Sequence, residues 1–300
     1  MKKGALIMSV KNENKPNPSQ ERRKQFVNSF FGTVPVKIGF AILVIIAFAA
    51  IFAPLVAPYD YNKQDLLNTL QAPGKEHLLG TDALGRDLLS RIIYGARASL
   101  SVGIVSTIIA GGIGITLGLI AGYLGKAADA IIMRIMDAMM SIPVVILALF
   151  LGSILGKGLG NIMLCIGIVM MPGYARMTRG QVLSVKQLDY VTAGKIGGAT
   201  RIKNAAKHIL PNCLAPNLVL ATMNLGAAIM VEAGLSFLGM GINPPTPSWG
   251  AMVSEGYKYL AKAPHIAIVP GIFIILTVWS FNVCGDALRD ATDPRLRGTK

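Results

Sequence analysis

Residues Ala175–Asn212 read ARMTRGQVLSVKQLDYVTAGKIGGATRIKNAAKHILPN, and the reading of this stretch decides the fold. It is the longest polar interval in the second half of the chain, and long apolar runs flank it on both sides. Its bases are Arg176, Arg179, Lys186, Lys195, Arg201, Lys203 and Lys207, against the single acid Asp189. Short positive loops between membrane spans are retained inside, so residues 176–211 are expected on the cytoplasmic side. The interval is also patterned. Asp189 is expected to cap a helix starting at Tyr190, its carboxylate accepting a free N–H of the first turn. Gly197-Gly198 permits a sharp turn. Thr200 then caps a second helix through His208, and Pro211 ends it. The spacing therefore predicts helix, glycine turn and helix on the inner membrane surface.

The rest of the chain supports a membrane setting. Its 300 residues are 53% hydrophobic and only 15% charged, with a mean hydropathy of +0.55. A soluble domain carries roughly 25% charged residues. The formal net charge of +14 falls in loops and tails, where it sets topology and attracts anionic membrane lipid, so no nucleic-acid partner is expected. Cys165, Cys213 and Cys284 lie in or beside apolar runs. Their odd number and wide spacing argue against a disulfide framework and a zinc site.

Taken in order, residues 1–25 are rich in Lys, Asn, Pro, Ser and Gln and are expected to be a disordered cytoplasmic tail. The membrane-embedded body is then expected over 26–300, opening with a short interfacial helix from Phe26 to Val34. Six spans are predicted. The first, Val36–Ala57, is long enough to cross the bilayer and is read as an uncleaved anchor with the N-terminus inside. Residues 59–97 form an extracytoplasmic loop with balanced charges. The second span is Ala98–Gly125, where Gly114, Gly118 and Gly122 recur every four residues. Small residues at that spacing let helices approach closely, either within this chain or against a partner. A short inside loop, Lys126–Arg134, follows, in which Arg134 can pair with Asp137 on one helix face. The third span, Ala138–Gly156, is expected to kink at Ser141-Ile-Pro143, and Gly156-Lys-Gly-Leu-Gly160 turns tightly outside. The fourth is Asn161–Ala175 and the fifth Cys213–Gly241. Outside again, three prolines stiffen Asn243–Gly250, where Trp249 suits the membrane interface. A short helix, Ala251–Leu260, precedes the sixth span, Ile266–Val283, and the C-terminus returns inside.

The segment Tyr190-Val-Thr-Ala-Gly-Lys-Ile-Gly-Gly198, followed by His208-Ile-Leu-Pro-Asn212, resembles the cytoplasmic "EAA" loop of permease subunits of bacterial ABC importers. The family's leading Glu is Thr192 here and its second Ala is Gly194, while the downstream glycine and closing Leu-Pro stand at the expected spacing. Leu79-Gly-Thr-Asp-Ala-Leu-Gly-Arg-Asp87, Gly95-Ala-Arg-Ala-Ser-Leu100, Glu232-Ala-Gly-Leu-Ser-Phe-Leu-Gly-Met-Gly241 and Gly285-Asp-Ala-Leu-Arg-Asp290 are similar to the C-type permease of dipeptide, oligopeptide and nickel importers. The resemblance implies an all-α, polytopic type I ABC importer permease fold. It implies the transmembrane subunit of an ATP-driven importer of di- or oligopeptides, or alternatively of nickel or a metal chelate. The implied partners are a homologous second permease, two ATP-binding cassette subunits and an extracytoplasmic substrate-binding protein, with ATP and Mg held by the partners and no cofactor in this chain. The ATPase-coupling residues it implies are Asp189, Tyr190, Thr192, Ala193, Gly194, Gly197, Gly198, His208, Leu210 and Pro211. The setting is the cytoplasmic (inner) membrane, with both termini inside.

Two further sites stay open. Asp82, Arg86 and Asp87 either fold the first outside loop through local ion pairs or touch a docking partner. Glu232 lies roughly 30 Å along the fifth span from Pro211. An intramembrane carboxylate is a functional candidate by default. It can pair with an arginine of the first outside loop, line the translocation path and meet a substrate amine or cation, or reach the interface. A secondary transporter or channel with Glu232 as its ion site is the alternative from another class; a non-transporting scaffold is a third. Neither explains the pattern of the basic loop. No catalytic residue or metal site is expected. His77, His208 and His265 are far apart, no nucleophile or metalloprotease pattern occurs, and Lys157 is not followed by the Ser or Thr of a phosphate-binding loop.

Overall fold

The structure is a computed structural model that describes residues 18–292. Helix α1, Pro18–Phe30, precedes α2, Val34–Ile51, whose first turn accommodates Pro35, a position where proline's missing N–H has no helical partner. The short α3, Ala53–Val56, leads into an irregular segment, 57–87. Helix α4, Leu88–Leu124, is capped by Asp87, which accepts from the Ser90 amide. Helix α5, Lys126–Met140, and α6, Val144–Leu155, are bent by 99° across the Ser141–Pro143 break. Helix α7, Leu159–Val185, is followed by α8, Asp189–Ile196, and α9, Arg201–Asn204. A π-turn, Ala205–Ile209, joins α9 to α10, Leu210–Phe237. Helix α11, Trp249–Tyr257, and α12, His265–Thr292, complete the chain.

Among the described residues, five stretches are long and apolar enough to cross a bilayer: α2, α4, α7, α9–α10 and α12. The bent α5–α6 pair makes a sixth. The chain thus alternates between two ends. One, here the loop end, carries α8 and α9. The other, the roof end, carries 57–87 and α11.

The expected boundaries shift in informative ways. Of the expected tail, residues 1–17 lie outside the described residues, while the chain is already helical from Pro18. Helix α4 begins at Leu88 rather than Ala98, so Arg91 and Arg97 are helical instead of lying in a loop. Its 37 residues span about 55 Å at 1.5 Å per residue, well beyond ~30 Å of hydrocarbon. Residues 126–134 are helix, not loop, and Asp137 pairs with Arg176 of α7 at 2.6 Å instead of with Arg134. Arg179 of α7 makes a two-pronged pair with Asp129 of α5. Pro143 breaks the pair of helices as expected, but into two arms rather than a kinked rod.

The glycine row packs within this chain. A β-carbon on Gly114 would stand 2.5 Å from the Met171 carbonyl oxygen, and one on Gly122 would stand 2.8 Å from Cβ of Val182. Gly118 lies against the Ala175 carbonyl and Thr178. Helices α4 and α7 therefore run in backbone contact, the arrangement that small residues permit where lipid gives no hydrophobic drive for association. Cys165, Cys213 and Cys284 are buried and unpaired with one another.

Candidate functional site

At the loop end, α8, a tight turn and α9 form the expected helix-turn-helix. The carbonyl of Leu188 accepts from Val191 and Thr192, so Leu188 takes the cap position. Asp189 falls in the first turn, where its charge favours the helix N-terminus. Gly198 has φ of +79°, a conformation that glycine alone adopts cheaply. The Ala199 amide reaches back to the Gly194 carbonyl at 3.1 Å, the six-residue closure of a glycine-terminated helix. Thr200 caps α9 by accepting from the Lys203 amide at 3.3 Å.

Pro211 does not end this helix. The Leu210 amide bonds to Ala205, five residues back, so one residue is absorbed in the π-turn and Pro211 falls in the first turn of α10. There its absent N–H is tolerated, and the helix runs unbroken from Arg201 to Phe237.

A small core anchors the motif. Val191 and Ile209 pack with Val182, Val185 and Cys213. Asn204, fully buried, donates to the Val191 carbonyl at 3.1 Å. His208 and Gly194 are half-buried beside Asn204, and the rings of Tyr190 and His208 lie 6.3 Å apart. Leu210 is also half-buried. Asp189, Tyr190, Thr192, Ala193, Gly197, Gly198 and Pro211 are exposed. Within this motif the most exposed large apolar side chains flank the turn: Ile196 at 84% and Ile202 at 82%. The resemblance to the family's loop did not single these two out. Their signal was available, since each is an isoleucine inside an otherwise polar, basic interval.

The three roof-end candidates are buried, and their pairing lies within the chain. Asp82 accepts from the Leu84 and Arg86 amides and from Arg86 Nε at 2.6 Å, and pairs with Arg91 at 3.3 Å. Asp87 caps α4 and contacts His77 Nδ1 at 2.9 Å. Arg86 and Arg91 both reach Glu255 of α11, at 3.1 and 3.2 Å. Leu66, Leu67 and Leu78 of this segment face outward, beside charged side chains such as Lys63, Lys75 and Glu76.

Glu232 is fully buried. Its Oε1 accepts from Ser236 at 2.7 Å and from Ser248 at 2.9 Å. No arginine reaches it among the described residues, and it is not one of the residues lining the groove described next. Trp249, expected at the membrane interface, is also fully buried. Its indole donates to the Ile92 carbonyl at 3.0 Å, and its amide reaches Ser99 Oγ.

A groove of about 620 Å³ opens between the α5–α6 bend, α7 and α10. Met139, Met140, Met170 and Met230 line it, and Asn224 is its one polar side chain. Methionine surfaces adapt to varied apolar shapes.

Residues 114–298 match the binding-protein-dependent transport system inner membrane component, and residues 25–73 match the N-terminal transmembrane domain of oligopeptide transport permease C. This chain belongs to that family of transport permeases. The permease is 44% identical over 280 residues to the di/tripeptide transport system permease protein DppC of Pseudomonas aeruginosa, covering 91% of this chain and 92% of that one. It is 40% identical over 296 residues to the glutathione transport system permease protein GsiD of Pectobacterium atrosepticum, covering 98% and 96%. A probable D,D-dipeptide transport system permease protein, DdpC of Escherichia coli, is 45% identical over 257 residues, 86% of each chain. Among solved structures, the inward-facing MetNI methionine ABC transporter superposes with a TM-score of 0.54 at 23% identity, covering 67% of the permease and 96% of that chain. The last likeness concerns the fold: the permease has the type I architecture of multi-pass ABC importer subunits.

Proposed function

We propose that the permease is the transmembrane subunit of an ATP-driven importer of di- and tripeptides. The relatives named for di/tripeptides and D,D-dipeptides, matched along nearly their whole length, support the substrate class. The groove with its four methionines and a single amide is half of the path, completed by a homologous second permease. An apolar, adaptable wall suits a substrate whose side chains vary.

The observation that carries the reading is the exposure of Ile196 and Ile202 on either side of a rigid glycine turn. Large apolar side chains standing free on a basic, water-facing loop mark a protein contact. The loop end is the cytoplasmic side by its positive charge, so the contact is an ATP-binding cassette subunit. That subunit holds the ATP and Mg; this chain takes neither and performs no chemistry. Both termini lie on the same side, and the roof end faces the extracytoplasmic binding protein.

The test replaces Ile196 and Ile202 together by Asp. Copurification from native membranes with mass spectrometry, and uptake of a labelled dipeptide, are the readouts. The wild type brings down a second permease and ATPase subunits and transports peptide. The variant reaches the membrane but loses the ATPase subunits and uptake. A wild-type chain recovered alone from conditions that preserve other complexes, or a variant that still transports, overturns the proposal.

A further inference from the structure

We infer that Glu232 is a positioning residue that ties the roof helix α11 to the span rising from the coupling loop; this deepens the importer reading and rests on it. The helix from Arg201 to Phe237 is continuous over 37 residues, about 55 Å. It starts immediately after the glycine turn and ends beneath α11. A displacement of the loop therefore has a continuous helical route to the roof.

The link between that helix and α11 is local and specific. Ser248 caps α11 by accepting from the Ala251 amide at 3.2 Å, while its own hydroxyl donates to Glu232 at 2.9 Å. The carboxyl thus fixes the hydroxyl proton away from the helix, leaving a lone pair for the cap. Ser236, one turn beyond Glu232, donates to the same oxygen. Close packing holds the register: a β-carbon on Gly250 would stand 2.5 Å from Cα of Ala233. The remaining polar contact between α10 and α11 is Ser254 to the Phe237 carbonyl, exposed and 3.5 Å long. Helix α11 is bound in turn to α4, through Trp249 to Ile92 and Ser99 and through Glu255 to Arg86 and Arg91. With Gly256 packed against Ile266 and Ala267 of α12 as well, α11 joins three spans, and Glu232 is its buried polar attachment to the one that rises from the loop.

Stability does not account for the choice of residue. Oε2 of Glu232 is buried with no hydrogen-bond partner among the described residues, and a half-satisfied buried polar group is worse for a fold than an apolar side chain of the same volume. What a leucine there cannot supply is the acceptor for Ser248.

The assembled transporter, reconstituted with its binding protein, provides the test. ATP hydrolysis is measured with and without liganded binding protein in wild type, Glu232→Leu, Glu232→Gln and Ser248→Gly. The last keeps a good cap residue but removes the donor. Glu232→Leu and Ser248→Gly assemble and hydrolyse ATP at the basal rate, while the stimulated-to-basal ratio falls about fivefold or more, the lower range of coupling between sites. Glu232→Gln, which retains an accepting oxygen, keeps most of the stimulation. Wild-type stimulation in both Glu232→Leu and Ser248→Gly overturns the inference. So does a Glu232→Gln as uncoupled as the leucine variant, because charge would then be the requirement. If Glu232→Leu fails to assemble, Ser248→Gly decides alone by the same ratio. A wild-type complex that shows neither stimulation nor uptake removes the importer reading itself, and is recognised without any variant.

Discussion

Asn204 donates its side-chain amide to the Val191 carbonyl across the glycine turn, at 3.1 Å and fully buried. This single bond closes the helix-turn-helix into a unit. Helix α9 has only four residues, too few to be stable alone, and α8 has eight. Their mutual placement rests on this bond and on Val191 and Ile209 packing onto Val182 and Cys213.

Asn204→Ala should therefore loosen the loop without unfolding the protein. Losing one buried hydrogen bond costs about 1–3 kcal/mol, a local effect in a large helical bundle. The variant accumulates normally, while amide hydrogen exchange quickens across 189–204. Peptide uptake falls further than basal ATP hydrolysis, because a loose loop transmits less. Equal protection of 189–204 in variant and wild type would show that the bond does not set the loop's rigidity.

A second prediction concerns the α4–α7 seam. Gly118 faces the Ala175 carbonyl and Thr178 with no room for a methyl group, whereas Gly112 on the same helix has nothing within 4 Å of its would-be β-carbon. Gly118→Ala must separate two helices in backbone contact, and overpacking of this kind costs about 1–3 kcal/mol. It should reduce the amount of folded chain in the membrane and lower its melting temperature in detergent. Gly112→Ala should match wild type in both measurements. A Gly118→Ala protein as stable as Gly112→Ala would mean that the seam tolerates separation.

These cases show why part of the molecule was legible in the sequence and part was not. Span number follows from apolar length, and a turn at Gly197-Gly198 follows from what glycine alone can do, so both were readable. So was the capping of α9 by Thr200. The start of α4 was not, because Asp82, Arg86 and Arg91 look like solvated loop charges until their pairing with one another and with Glu255, more than 160 residues on, removes them from water. Pro211 was read as a stop because a local rule has no term for a π-turn that absorbs the missing bond. Glu232 was identified as unusual, but its partner Ser248 caps a separate helix, and tertiary packing such as that of Gly250 onto Ala233 brings the two together. Residue type announced the site; tertiary contact defined its role.

The roof-end ion pairs yield the last prediction, which separates a buried charge from a half-exposed one. Asp82 is buried between Arg86 and Arg91, themselves buried, while the Glu255 side chain is 39% exposed. Asp82→Asn leaves two guanidinium groups sharing one acid at the water's edge, and removing one partner of a buried pair costs about 3–5 kcal/mol. Segment 57–87 should then become susceptible to protease added from the outside, and the yield of folded chain should drop sharply. Glu255→Gln keeps Asp82 in place and removes a charge that water already screens, a change of about 1 kcal/mol or less. It should leave yield and protease resistance near wild type. Matching losses in the two variants would mean that α11, held by Glu255, and not Asp82 beneath it, organises the roof. A resistant Asp82→Asn would mean that the Asp87 cap and the apolar contacts of Leu88 and Ile92 hold the segment by themselves.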